Sequence, residues 1–187
     1  MGYYKTAKIC LNGHLISSNI ENHSADYPFC TSCGSKTITI CQNCQPDNHP
    51  GRASLISWIQ GLAESLPNYQ RDGLWYQVID QPEREGNFPE ASVTTQCMYA
   101  YAKAVNKGYI DARYRSIAEK AFNGLKKTLL RENPDGTLTL TRCCQVGGLG
   151  GTPYRDGSFE YYIGEKMRDN DAKATGPFIM GCLQLGK

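Results

Sequence analysis

The chain has 187 residues, enough for one ordinary domain or for a mini-domain joined to a body with a core of its own. Its formal charge of +2, with Lys and Arg interspersed among Asp and Glu, leaves no electrostatic footprint of the kind that phosphate backbones or anionic membranes select, so no nucleic-acid or membrane partner is expected. The opening Met1-Gly2-Tyr3-Tyr4-Lys5 has no apolar h-region, and no run approaches the roughly 18 apolar residues of a membrane span; the expectation is a soluble, cytoplasmic protein.

Cysteine usage divides the chain. Cys10, Cys30, Cys33, Cys41 and Cys44 crowd the first quarter, whereas Cys97, Cys143, Cys144 and Cys182 are scattered. In a reducing compartment closely spaced cysteines are metal ligands more often than disulfides. The first segment, 1–45, is poor in large apolar residues and needs a staple to fold. Residues 45–51 (Gln-Pro-Asp-Asn-His-Pro-Gly) read as a linker, which sets the expected division at 1–45 and 46–187.

Beyond the linker the period becomes helical. Leu55, Trp58, Ile59, Leu62, Ala63 and Leu66 share a face, predicting an amphipathic helix over 52–66. The run 74–79 is β-prone and ends in a polar loop. A second helix is expected from Glu90 to Lys107-Gly108, with Ala91, Met98, Tyr101, Ala102 and Val105 on its inner side. Asp111 is placed to cap a third, along Tyr114, Ile117, Ala118, Ala121, Leu125 and Leu129, which Asn133-Pro134-Asp135-Gly136 breaks. Alternation over 137–141 predicts a strand, the glycines at 147–151 a loop, and two last helices follow around 158–165 and 176–185.

A two-residue gap between cysteines lets one tight turn supply two tetrahedral ligands, and Cys30-Thr31-Ser32-Cys33 and Cys41-Gln42-Asn43-Cys44 both offer it. Cys10 and His14 add a third chelating pair, so six candidates compete for four positions around a structural zinc. Cys10-Leu11-Asn12-Gly13-His14 with Phe29-Cys30-Thr31-Ser32-Cys33-Gly34 resembles a zinc ribbon, and residues 3–44 look like the start of a bacterial zinc-ribbon family of uncharacterised function.

The remainder carries a second resemblance. Asn48-His49-Pro50-Gly51-Arg52, Gly73-Leu74-Trp75-Tyr76-Gln77-Val78-Ile79-Asp80, Gly86-Asn87-Phe88-Pro89-Glu90-Ala91-Ser92 and Gly150-Gly151-Thr152-Pro153-Tyr154-Arg155-Asp156-Gly157-Ser158-Phe159-Glu160-Tyr161-Tyr162 are similar to the C-terminal portion of the unsaturated rhamnogalacturonyl hydrolases, glycoside hydrolase family 105. The resemblance implies a mainly α fold: a partial (α/α)6, six-hairpin barrel with short β excursions, preceded by the small ribbon. It also implies a chemistry, hydration of an unsaturated uronic acid in pectin-derived oligosaccharides. There an aspartic acid protonates the vinyl-ether double bond and water adds to the oxocarbenium ion. In that family the aspartate lies in the N-terminal half of the barrel, which has no counterpart here, so the chain is expected to be inactive alone and to need a second copy or a partner chain over its open face.

Trp75, Tyr76, Tyr154, Arg155, Asp156 and Ser158 are the candidate substrate-binding residues. Arg155 can clamp a uronate carboxylate, or pair locally with Asp156 while Asp156 caps the next helix; Trp75 and Tyr76 can stack on a sugar or fill the barrel core. Asp80 and Glu90 are a conceivable carboxylate pair, and Cys143-Cys144 is expected to be inert. A different class of function is a zinc-ribbon adaptor whose helices serve only as a packing platform.

Overall fold

The structure, a computed structural model, describes residues 8–10, 15–17, 29–38 and 51–187. The chain divides into two units, Met1–Leu55 and Ile56–Lys187. The junction expected near Gln45 lies outside the described residues, as do His14, Cys41 and Cys44.

The first unit contains a small antiparallel sheet of β1 (Lys8–Cys10), β2 (Leu15–Ser17) and β3 (Thr37–Ile38), in the order β2-β1-β3. Ile9 pairs with Ile38 and Cys10 with Thr37, while Phe29 bridges Lys36. Between Phe29 and Lys36 the chain reverses tightly: the Gly34 N–H donates to Cys30 O and the Cys30 N–H to Ser35 O, each at 2.8 Å. Gly34 sits at φ +71°, a left-handed conformation that glycine adopts without a Cβ penalty.

α1 (Arg52–Ser65) leads into the second unit and is followed by a 3-10 turn, Leu66–Tyr69. The run 74–79 does not become a strand. Arg71 bridges Leu74 and Tyr76 bridges Pro89, so this stretch folds on itself and on the loop before the next helix. α2 (Ala91–Asn106) is the spine, packed against α3 (Arg115–Thr128) and α5 (Ala172–Leu185). Asp111 caps a 3-10 turn, Ala112–Tyr114, that runs into α3. The third helix ends earlier than its apolar pattern suggests, because Leu130 leaves it to open β4 (Leu130–Glu132), which pairs with β5 (Leu138–Leu140). β6 (Cys143–Cys144) pairs with β7 (Met167–Arg168) on either side of α4 (Phe159–Gly164). α5 starts a turn before the expected Gly176, since Asp171 accepts from the Lys173 N–H at 3.0 Å and so caps the helix ahead of Gly176-Pro177.

The core gathers where these helices meet, with Trp75, Met98, Leu125 and Leu129 the largest buried apolar side chains. Trp75 stacks on Tyr101 at 6.4 Å and donates its indole N–H to Leu66 O at 2.9 Å. α1 departs from its amphipathic expectation: only Ala63 is buried, while Trp58 is 68% and Leu62 56% exposed. Ala63 joins the core beside α2, and the Tyr101 hydroxyl donates to its carbonyl at 3.1 Å. Ile59, Leu62, Leu66, Val93, Cys97 and Ile110 line an open apolar groove of about 220 Å³ along this seam. Among the described residues no helix is long and apolar enough to cross a membrane.

Two substitutions test this packing. Met98→Ala removes a fully buried side chain between α2 and α5 and should cost about 2–5 kcal/mol. Gly73, at φ +85° with the Lys120 carbonyl where a Cβ would stand, should tolerate Ala only at a loss above about 1 kcal/mol. Urea midpoints of the two variants against the parent chain check both.

Candidate functional site

The head of α2 carries the densest polar network of the second unit. Glu90, 2% exposed, is its N-cap; the carboxylate accepts from the Val93 N–H (2.7 Å), from the Ser92 hydroxyl (2.8 and 3.0 Å) and from the Cys144 N–H (2.8 Å). Each acceptor position is therefore occupied by a short, charge-assisted bond, as burial of a carboxylate requires. Asp80, the other half of the conceivable pair, is exposed in the polar loop. Glu90 is a structural anchor here, joining α2 to β6.

Gln77 extends the network. Its side-chain amide donates to Cys144 Sγ and Tyr162 O, both at 3.3 Å, while its backbone N–H donates to Phe88 O at 2.9 Å. Asn87 holds the intervening loop closed by accepting from the Val78 N–H and donating to the carbonyls of Val78 and Gln81. These contacts place the start of the glycine loop beside the Trp75-Tyr76-Gln77 run.

The loop of residues 145–158 is built on Arg155. Its backbone exchanges two hydrogen bonds with Gly150, its Nε–H donates to Gly150 O at 2.9 Å, and its guanidinium lies where a Cβ on Gly148 or Gly151 would stand. Glycine at 148 and 151 is thus what lets the loop wrap the cation. The Tyr161 hydroxyl accepts from the Gly148 N–H at 3.2 Å, and hydrogen bonding to Glu165 raises its pKa. Beside it Gln145, Val146, Glu160, Tyr161, Glu165 and Lys166 line a surface cleft of about 430 Å³. Phe159 is buried below with the Arg84 guanidinium 3.8 Å above its ring, and Arg84 pairs with Glu160.

Of the residues read from the sequence, Tyr154, Arg155, Asp156 and Ser158 come together on this loop. Tyr154 is 79% exposed at its tip. Asp156 does not cap α4 itself: Ser158 is the N-cap, accepting from the Tyr161 N–H at 3.1 Å, and Asp156 accepts from the Ser158 N–H at 2.9 Å, a bond that lowers its pKa. Tyr76 is half-buried and bridges Pro89, in the segment before α2. Trp75 stands in the core with no exposed surface, so the core-filling reading describes it. Trp75 and Tyr101 are covered, Tyr161 and Tyr162 pack on each other at 4.9 Å, and the exposed large apolar residues include Trp58 and Leu62 of α1 and Ile179 and Leu183 of α5. The sequence reading missed Gln77 and the anchoring bonds of Glu90; nothing in a single sequence signals that the Cys144 N–H, 54 residues away, closes the Glu90 network.

Cys143 and Cys144 are reduced and buried, and burial pushes the Cys143 thiol up to about 11, with the Glu90 charge adding to it. Of the six expected metal ligands, Cys30 and Cys33 have described side chains, and among the described residues no cluster of three metal-binding side chains forms.

The sequence profile of Glycosyl Hydrolase Family 88 matches residues 37–186, and that of an uncharacterised protein family conserved in bacteria, DUF2321, matches residues 3–54. A family 105 glycoside hydrolase from C. acetobutylicum superposes with a TM-score of 0.72 at 38% identity, over 75% of this chain and 40% of that one. A possible family 105 member from Salmonella enterica serovar Paratyphi A gives 0.57 at 26% identity, over 74% and 33%. A 24.9 kDa protein of the picA locus of Rhizobium radiobacter is 34% identical over 125 residues, 64% of this chain and 54% of its own length. The chain thus spans about half of that curated relative, and the five helices and short strands among its described residues match part of the helical barrel that these neighbours share.

The buried thiols make stability fall in alkali. Unfolded, Cys97 and Cys143 ionise near 9; folded, burial holds them to about 12 and about 11. Between these values the unfolded chain releases protons that the folded chain keeps, so their contribution is whole below about pH 9 and is lost as pH rises toward about 12. Urea midpoints should decline across that window, and Cys97→Ala should flatten the decline.

Proposed function

We propose that this chain, which belongs to Glycosyl Hydrolase Family 88, is the sugar-facing C-terminal portion of a hydrolase that hydrates unsaturated uronic acids in pectin-derived oligosaccharides. The observation that carries the reading is the glycine loop wrapped on Arg155. It exposes Tyr154 as a stacking surface and holds a guanidinium, half-buried and tied through Nε, whose terminal nitrogens suit a uronate carboxylate. Ser158 closes the same loop, and Asp156 shapes it by accepting from the Ser158 N–H.

The general acid is not supplied by the network around Glu90, whose carboxylate is fully committed to capping. The chain alone therefore binds but does not turn over, and the helices that complete the barrel supply the acid and cover the α1 and α2 groove where Trp58 and Leu62 stand exposed. A cytoplasmic location is proposed with it, since closely spaced cysteines without disulfides suit a reducing compartment. A second reading, an adaptor without chemistry, is favoured by that same uncovered groove.

The two readings part in one assay. Loss of the double-bond absorbance of an unsaturated digalacturonide is followed with the chain alone and with the chain mixed with the N-terminal part of the C. acetobutylicum family 105 protein. We expect no turnover alone, turnover on mixing, and an increase of about tenfold or more in KM for Arg155→Ala in the mixture. Turnover by the chain alone would sink the incomplete-barrel reading, and absence of both sugar binding and complementation would leave the adaptor. Solution mass in the same samples distinguishes completion by the added part from pairing of two copies of this chain.

A further inference from the structure

We propose that the cleft between α3 and the corner at residues 70–73 is a second carbohydrate site, separate from the glycine loop, that takes an acidic oligosaccharide chain. The cleft has a volume of about 560 Å³, and Lys120, Asn123 and Lys127 wall it on the α3 side. These three recur at spacings of three and four on one helix face, and the Cα atoms of the two lysines stand about 10 Å apart along the axis. No residue of the loop at 145–158 lines it.

The cleft has its shape from two glycines. The Asp72-Gly73 corner lies so close to α3 that a Cβ on Gly124 would stand 2.6 Å from Asp72 O, and one on Gly73 would meet the Lys120 carbonyl. Backbone therefore meets backbone at Gly124, with Lys120 and Lys127 on either side of it along the helix. Gln70 fixes the corner by donating its side-chain amide to Gly73 O at 3.0 Å and to Ile117 O at 3.2 Å.

Among the described residues, no ion pair or hydrogen bond engages the side chains of Asp72, Lys120, Asn123 or Lys127, although surface ion pairs form at Arg84, Arg115, Arg131 and Lys173. Two ammonium groups and one carboxylate line the cleft, and neighbouring Arg71 adds a cation whose guanidinium is held by the carbonyls of Asn68 and Gln70. The excess positive charge selects an anion. The neutral groups narrow its class. The amides of Gln70 and Asn123 and the carboxylate of Asp72 suit hydroxyls, whereas no aromatic ring and no guanidinium is among the lining residues to stack a base or fork a phosphate. A uronide chain combines hydroxyls on every ring with carboxylates spaced along its length. The choice of this sugar rests on the function proposed above; the charge and shape of the cleft do not.

Calorimetric titration of the full chain with saturated hexagalacturonate, which has no double bond to hydrate, tests the site at low salt. Saturable binding is expected, with affinity falling at least about fivefold when Lys120→Glu and Lys127→Glu are combined. Asp72→Asn should raise the affinity, and the left-handed backbone there (φ +51°) accepts asparagine. Lys126→Glu, on the same helix but outside the cleft lining, should change it by less than about twofold. The combined lysine variant should keep the parent urea midpoint and, in the complementation mixture, the parent KM for unsaturated digalacturonide. Arg155→Ala should keep the parent affinity for hexagalacturonate. Loss of that affinity in Arg155→Ala but not in the lysine variant would assign the oligomer to the glycine loop and overturn the α3 site, leaving the proposed function standing. No binding by the parent chain, equal affinity for the fully methyl-esterified hexamer, or tighter binding of a DNA duplex would also overturn it. Should the mixture show no turnover while the lysine variant still loses hexagalacturonate, the proposed function fails and the α3 site stands.

Discussion

The second unit depends on one buried carboxylate. Glu90 stands where the loop after Trp75 becomes α2, and it satisfies the helix terminus with one oxygen while reaching β6 with the other. A carboxylate taken out of water must be surrounded by donors, and here those donors come from two pieces of chain far apart in sequence. The helix dipole favours the charge in the same place. That requirement brings the Cys143-Cys144 strand to the head of α2 and so determines where the following glycine loop begins. The candidate loop is thus positioned by groups that the proposed sugar site does not include.

From that anchor the molecule becomes progressively less covered. α2 is enclosed by α3 and α5 and buries most of its inner face, whereas α1 buries Ala63 in the core, accepts a hydrogen bond from the Tyr101 hydroxyl and leaves Trp58 and Leu62 exposed. A helix whose apolar stripe finds no partner retains the pattern of a buried helix without the burial. The match to the C. acetobutylicum hydrolase covers 40% of that chain, and the proposed function assigns the cover of these residues to the part without a match here. The loop proposed to hold a uronate is built within this chain, and its proposed chemistry depends on what covers α1.

Legibility followed the range of the interactions. α2 was predicted to within a residue because its cap, its apolar period and the Lys107-Gly108 stop are all local. The strand at 138–140 was visible in its alternation, but β4 was not, since Leu129 and Leu130 continue the apolar period of α3 and only pairing with β5 draws the second of them out of the helix. The run 74–79 looked like a strand because Trp, Tyr, Val and Ile favour one; its partners turned out to be a turn residue and a proline, which cannot support a ladder. Arg155 was recognisable as a site residue by its glycine-rich setting. That its guanidinium is the post around which those glycines wrap was not, because the fit depends on absent Cβ atoms in three dimensions.

Sequence by itself determined the membership of the chain in a helical-barrel family, the positions of its helix caps and breaks, and the candidate loop 150–158, because each rests on residue types at short, fixed spacings. It also marked the cysteines whose spacing suits a metal. Tertiary structure decided which aromatics are core and which are surface, and committed Glu90 to an anchoring role. Those outcomes depend on donors, strands and ring faces brought together from distant parts of the chain, and a pairing of that kind has no local signature: its energy exists only once the fold has closed the distance.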